Sequence, residues 1–146
     1  MTAHDMLATI EDVIAKAKTG ILATVDNTKR PHLRWMTPAV LQGRPGFIYA
    51  VTAPFFAKLT QISANTYVEW LIQTPSLKEI LSIAGTITVI DNPALKNEII
   101  SAIGKHLFVF WKTNPKGDFL ALETRIESAT FFRPMQGTSE TVTFRT

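Results

Sequence analysis

The chain contains no cysteine, which removes disulfides, thiolate nucleophiles and cysteine-ligated zinc or iron–sulfur clusters from consideration. Its three histidines, His4, His32 and His106, stand far apart and share no metal-ligand spacing. The seven glycines never gather into a loop that could cradle a phosphate; Gly43 and Gly46 flank Arg44-Pro45 and read as a hairpin turn. No serine occupies a nucleophile-elbow context, and the carboxylates are too scattered to suggest an acid–base pair. Long apolar runs are missing too. Nothing approaches the ~20 residues of a membrane helix, and the N-terminus has no basic segment leading into an apolar run and a cleavage site. We therefore expect a cytoplasmic protein without a membrane partner. Any difficult chemistry is expected to belong to a cofactor, with the side chains supplying binding and orientation.

What is present points to a folded domain. At 146 residues and 46% hydrophobic, the chain can bury one sizeable core but is short for two, so residues 1–146 read as a single domain. Fifteen Lys and Arg against twelve Asp and Glu leave a net charge of +3, spread along the whole length. That excess suits a phosphate-bearing small ligand as well as it suits nucleic acid. A nucleic-acid binder usually gathers its basic residues on one face, so a nucleic-acid-binding β-barrel is the weakest of the readings.

Asp5 to Lys18 carries Met6, Leu7, Ile10, Val13, Ile14 and Ala17 at helical spacing, with Asp5 as the expected N-cap and Gly20 as the stop. Strands are expected at Ile21–Val25, Pro31–Leu41, Phe47–Val51, Tyr67–Gln73, Leu81–Ile90, Phe119–Phe132 and Val142–Phe144. The first three read as neighbouring hairpins of a meander. A short helix is expected from Pro54 to about Ser63, and a second amphipathic one from Asn92-Pro93 to Gly104. The segment from Lys105 to Gly117, with Phe108 to Trp111 at its centre, fits either a strand or a packed loop. Connections this short favour antiparallel pairing: a mainly β fold, a barrel of six to seven strands with short helices.

Two segments stand out when taken together. In Arg30-Pro31-His32-Leu33-Arg34-Trp35-Met36-Thr37-Pro38, alternation puts His32, Arg34 and Met36 on one face and Leu33, Trp35 and Thr37 on the other. In Tyr49-Ala50-Val51-Thr52-Ala53-Pro54-Phe55-Phe56-Ala57-Lys58, a strand runs into a helix start. The Thr52 hydroxyl, the Lys58 ammonium and free backbone N–H groups can point at one dianion there, with Arg34 as a second cation. At roughly 1.5–3 kcal/mol for each charge-assisted bond, three such contacts would anchor a phosphate usefully. Singly, each residue has a plainer explanation as a solvated surface charge. The combination carries the signal.

With these residues in view, the chain resembles the pyridoxamine 5′-phosphate oxidase-like FMN-binding split-barrel family, nearest its small general-stress-protein members. The resemblance runs over about residues 5 to 92. It rests on the leading helix, Leu22-Ala23-Thr24-Val25, Arg30-Pro31-His32-Leu33-Arg34, Met36-Thr37-Pro38, and Thr52 followed by Lys58-Leu59-Thr60-Gln61-Ile62. Asn65, Val68 and Gly85 continue it. It implies a split β-barrel homodimer with FMN at the interface, exchanging electrons with a small-molecule donor or acceptor. Arg34, Thr52 and Lys58 would hold the phosphate, while Trp35, Met36, Thr37 and Val51 would border the ring.

The departures from the family pattern are specific. The oxidase has Ser-Arg-Lys where this chain has Phe56-Ala57-Lys58, a lysine at Ala39 and a glutamine at Ile80. These losses argue against pyridoxamine-phosphate oxidase activity itself. Phe55 and Phe56 could instead form an apolar wall suited to heme or a deazaflavin. The resemblance thus implies an FMN-binding oxidoreductase, with a non-catalytic flavin- or heme-binding module as the alternative. Trp111, Phe131 and Phe132 are candidates for covering the ring, although core packing explains such aromatics equally well.

Overall fold

Helical periodicity at the start of the chain becomes α1 (Ala3–Ala17), which buries Met6, Ile10, Val13 and Ile14. Its cap is Thr2 rather than Asp5: the Thr2 hydroxyl accepts from the Asp5 amide, and the Asp5 carboxylate accepts from the Thr2 amide. Asp5 thus occupies the third helical position of a capping box, where a carboxylate satisfies a free donor and faces the positive helix end. The stop is Lys18, in the left-handed conformation at φ 67°, while Gly20 already belongs to the first strand.

The computed structural model describes residues 1–53, 58–104 and 119–144, apart from the side chain of Lys58. The sequence expectations for Pro54 to Ala57, for Lys105 to Gly117 and for the Trp111 ring lie outside the described residues. After α1 come β1 (Gly20–Val25), β2 (Pro31–Met36), β3 (Phe47–Thr52), α2 (Lys58–Ala64), β4 (Tyr67–Gln73), β5 (Ile80–Ile90), α3 (Pro93–Ile103), β6 (Leu120–Arg133) and β7 (Thr138–Thr143). The Asn92 side chain caps α3 by accepting from the Leu95 amide at 3.1 Å, with Pro93 in the first turn, as the sequence predicts.

All the strands pair antiparallel in one sheet of order β2-β1-β4-β5-β6-β3, with β7 added to β6. The mainly β, antiparallel expectation holds, but the meander does not. β1 and β2 form the expected hairpin, whereas β3 pairs with β6 and lies at the opposite end of the sheet path from β2. The second strand stops at Met36, just short of Pro38, which has no N–H to offer a ladder. Just beyond, Ala39 and Tyr49 exchange backbone hydrogen bonds of 2.7 and 2.8 Å, so the chain leaving β2 reaches β3. That bridge joins the two ends of the path and gives the sheet its barrel closure.

Two clusters fill the interior. The larger packs α1 against β1, β4, β5 and β6 through Met6, Leu22, Trp70, Ile83 and Leu122; the smaller packs α3 on Tyr49, Val51 and Ala121. Each such aliphatic or aromatic side chain contributes about 1.5–3 kcal/mol when fully buried. Two buried polar side chains find partners inside: Trp70 Nε1 donates to Thr124 Oγ1 at 3.1 Å, and the Tyr49 hydroxyl donates to Glu123 at 2.7 Å. Burial, reinforced by that carboxylate, pushes the Tyr49 hydroxyl up to about 12. Gly85 sits where the β5–β6 register shifts, and a Cβ there would lie 2.2 Å from the Arg125 carbonyl oxygen. Close approach of two backbones, not turn geometry, requires glycine at that bulge.

Candidate functional site

Burial alternates along β2 as its sequence predicts. His32, Arg34 and Met36 are partly buried, whereas Leu33 and Trp35 face outward at 70% and 82% exposure. The Arg34 guanidinium is half-buried beside β1. Its Nη2 donates to Thr24 Oγ1 at 2.7 Å and to Gln61 Oε1 at 2.9 Å, and Nη1 donates to the Leu22 carbonyl at 3.4 Å. The Thr24 hydroxyl in turn donates to Gln61 Oε1 at 2.7 Å, closing a three-membered ring of hydrogen bonds. Among the described residues no carboxylate pairs with Arg34. Burial alone lowers its pKa from the ordinary arginine value, which still leaves a guanidinium charged.

Gln61 lies on α2, three residues and so nearly one turn beyond Lys58. The structure therefore brings Arg34 to the helix that Lys58 opens. Thr52, the last residue of β3, is 1% exposed, and among the described residues its hydroxyl has no hydrogen-bond partner. An orphaned buried hydroxyl costs about 1–3 kcal/mol, so such groups normally find a partner. Thr52 makes no hydrogen bond with Arg34, and the two do not lie on adjacent strands as the sequence reading supposed. The reason is topological: β3 finds its partner in β6, far along the chain, instead of in β2.

The remaining candidates are scattered through the fold. Met36 packs on the larger core cluster, Val51 is buried in the smaller one, and Thr37 is partly buried between β2 and the Ala39–Tyr49 bridge. Trp35 points its ring to the outside. Phe131 is a core residue and Phe132 is 39% exposed; Phe55, Phe56 and Trp111 lie outside the described residues. Ala39, where the oxidase pattern has lysine, is buried in the smaller cluster. Thr24 and Gln61 stand within two of the segments that carry the family resemblance, but the sequence reading gave neither a role. One signal was available for Thr24: it shares alternation with Gly20 and Leu22, so a polar residue stands on the buried face of β1.

At the far end of β2, His32 Nε2 lies 2.8 Å from Asp26 Oδ2. Asp26 also accepts from the Thr28 amide, the Thr28 hydroxyl and the Arg30 amide, at 2.8, 2.7 and 3.0 Å. The His32 contact first, then these donors, hold the Asp26 carboxyl well below the usual carboxylate range. This pins the β1–β2 turn and with it the strand that carries Arg34. Among the described residues no cluster of His, Asp or Glu is disposed to hold a metal, and no helix is long and apolar enough to cross a membrane.

An antiparallel sheet closed through Ala39–Tyr49, with short helices packed on it, defines a split β-barrel. The chain belongs to the pyridoxamine 5′-phosphate oxidase family, whose model matches residues 6–133. Among solved structures it is similar to a protein related to general stress protein 26 of B. subtilis, from Clostridium acetobutylicum. That match has a TM-score of 0.74 and 15% identity over 96% of this chain and 95% of the other. A pyridoxamine 5′-phosphate oxidase-related, FMN-binding protein from Nostoc punctiforme matches at 0.66 and 14% identity, over 95% and 96%. A heme-binding protein from Mycobacterium smegmatis matches at 0.69 and 16% identity, over 91% of this chain and 57% of the other. At these identities the likeness establishes the fold. Comparison with curated proteins finds no match.

Proposed function

We propose that this chain is an FMN-binding oxidoreductase that works as a single-domain, cytoplasmic homodimer. The observation that carries the reading is a half-buried guanidinium, Arg34, held among the described residues by neutral acceptors, one of which, Gln61, lies nearly one turn beyond Lys58 on α2. An unneutralised cation in that setting is matched by a phosphate dianion. Thr52 supports it, since a ligand phosphate oxygen would accept from its hydroxyl, which has no partner among the described residues. Arg34, Thr52 and Lys58 would then hold the phosphate, and the backbone of Trp35 to Thr37 with Val51 would border the ring. The donors of Arg34 and of Thr52 that are free among the described residues support a fit to the phosphate of that group.

When bound, FMN supplies reversible two-electron transfer, here between a reduced nicotinamide and a small acceptor. The protein's own part is to hold the phosphate, orient the ring and exclude water; no side chain is assigned as acid or base. Dimerisation is supported by an apolar row on the outer face of the sheet: Trp35 pairs across to Ile21, and Ile21 to Leu71, with exposed Leu33 and Tyr67 alongside. A second copy covering this row would remove it from water.

A non-catalytic flavin- or heme-binding module is the second reading, and Ala39 favours it. A buried alanine locked into the β3 bridge stands where the oxidase pattern places a lysine for cofactor and substrate. A deazaflavin would fit the same reading. The absorption spectrum of the protein as isolated, and after addition of FMN, tests the first proposal: flavin bands that remain with the protein on gel filtration are expected. Protein that stays colourless and cannot be reconstituted overturns it. NADPH oxidation by the holoprotein well above that of free FMN separates the oxidoreductase from the passive module.

A further inference from the structure

We infer that Thr24 and Gln61 are positioning residues that hold the Arg34 guanidinium as an uncompensated cation for a phosphate monoester dianion. This inference rests on the FMN-binding reading for its ligand, but the arrangement itself belongs to the structure. Three features of it go beyond what packing requires.

The first is the neutrality of the partners. Arg34 is half-buried, and the common way to accommodate a buried guanidinium is a carboxylate. Here the partners are a hydroxyl, a side-chain amide oxygen and a backbone carbonyl, and among the described residues no carboxylate joins them. The full positive charge is retained. Glutamate at position 61 would have the same size and would satisfy the same donors, so the amide is the choice that leaves the charge free.

The second is the closure of the ring. Thr24 donates to the same Gln61 oxygen that accepts from Arg34, and Arg34 donates to Thr24. Because Nη2 makes both of its contacts within this ring, the guanidinium plane is fixed. Its remaining donors are then presented in a set direction, so little side-chain entropy is left to lose on binding an anion.

The third is where the members come from. Thr24 is on β1, Arg34 on β2 and Gln61 on α2, so the ring ties the hairpin to the helix that Lys58 begins. A shift of α2 would move Gln61 and Lys58 together. The backbone that carries Lys58 is therefore tied to the guanidinium through Gln61.

The test uses the full-length protein and compares FMN with riboflavin, which lacks the phosphate, by fluorescence titration at several salt concentrations. Wild type is expected to prefer FMN and to lose that preference as salt rises. Gln61→Glu is expected to lower the FMN-to-riboflavin affinity ratio by about tenfold or more, and to flatten its salt dependence, because the new carboxylate neutralises Arg34. Thr24→Val should reduce the ratio in the same direction, and Thr24→Ser, which keeps the hydroxyl, should restore it. A purely structural role would lower both affinities together and leave the ratio unchanged.

If wild type binds FMN and Gln61→Glu keeps the wild-type ratio, the positioning role is overturned while the flavin reading stands. If wild type binds neither flavin, the flavin reading falls, and inorganic phosphate decides the inference by thermal unfolding. Stabilisation of wild type but not of Gln61→Glu supports an anion site without flavin. Equal response of both proteins overturns it.

Discussion

Arg34 on β2 and Gln61 on α2 meet at 2.9 Å, 27 residues apart in the chain. This contact ties the β1–β2 hairpin to α2, although β2 and the strand that precedes α2 lie at opposite ends of the sheet path. A linear reading put Arg34 and Thr52 on two adjacent strands; the structure joins Arg34 to a helix instead.

Loss of the guanidinium should be felt by the phosphate and not by the ring. Arg34→Ala is expected to weaken FMN binding roughly ten- to a hundredfold, the equivalent of about 1.5–3 kcal/mol for a charge-assisted bond, with a smaller effect on riboflavin. Lys58→Ala should act in the same direction. Titration with both ligands checks this, and equal losses for the two would show that neither residue meets the phosphate.

Trp35 is 82% exposed in the single chain, so its replacement should barely change folding of the subunit. Trp35→Glu is expected to shift the protein from dimer to monomer in sedimentation velocity. A dimer that survives the substitution unchanged would place the subunit contact elsewhere.

Gly85→Ala should destabilise the barrel by about 2 kcal/mol or more, because the new methyl would have to displace a backbone carbonyl rather than a side-chain tip. Chemical denaturation gives the value directly. A neutral result would mean that the bulge relaxes freely.

Trp70→Phe keeps most of the apolar volume but leaves the buried Thr124 hydroxyl without its donor. The expected loss is about 1–3 kcal/mol, recovered in part by Thr124→Val in the same protein. A double-mutant cycle measures the coupling.

Asp26 predicts a pH dependence of stability in the acid range. Its carboxyl is held below the unfolded value, so the stabilisation is complete above the unfolded pKa of about 3.9 and is lost as pH falls through the folded value. Asp26→Ala should therefore melt below wild type at pH 6, with the gap narrowing on acidification towards pH 3. A gap that stays constant would show that the turn contacts of Asp26 do not report on folding.

How much was legible beforehand differs between levels of structure. The Tyr67–Gln73 strand appears with its expected bounds, and α3 begins at its Asn92 cap, because alternation and capping are local properties of the chain. The face of β2 that carries Arg34 was legible for the same reason: side chains alternate whatever the strand pairs with. The partner of β3 was not legible, since β6 lies some 70 residues away and a neighbouring hairpin was the nearer solution. Asp5 was misplaced as a cap because Thr2 three residues earlier offers the hydroxyl, and the reciprocal bond makes the pair.

The sequence by itself determined a cysteine-free, mainly β chain, its strand and helix segments, and the residue types able to meet a phosphate. Those follow from periodicity, propensity and chemistry within a few residues. Only the tertiary structure decided that Thr24 and Gln61 hold Arg34, that Thr52 is buried with no hydrogen-bond partner among the described residues, and that Ala39 closes the barrel on Tyr49. Each depends on which distant strands come to lie side by side, and that is set by burying one shared core and by pairing every buried backbone group, which no short stretch of sequence contains.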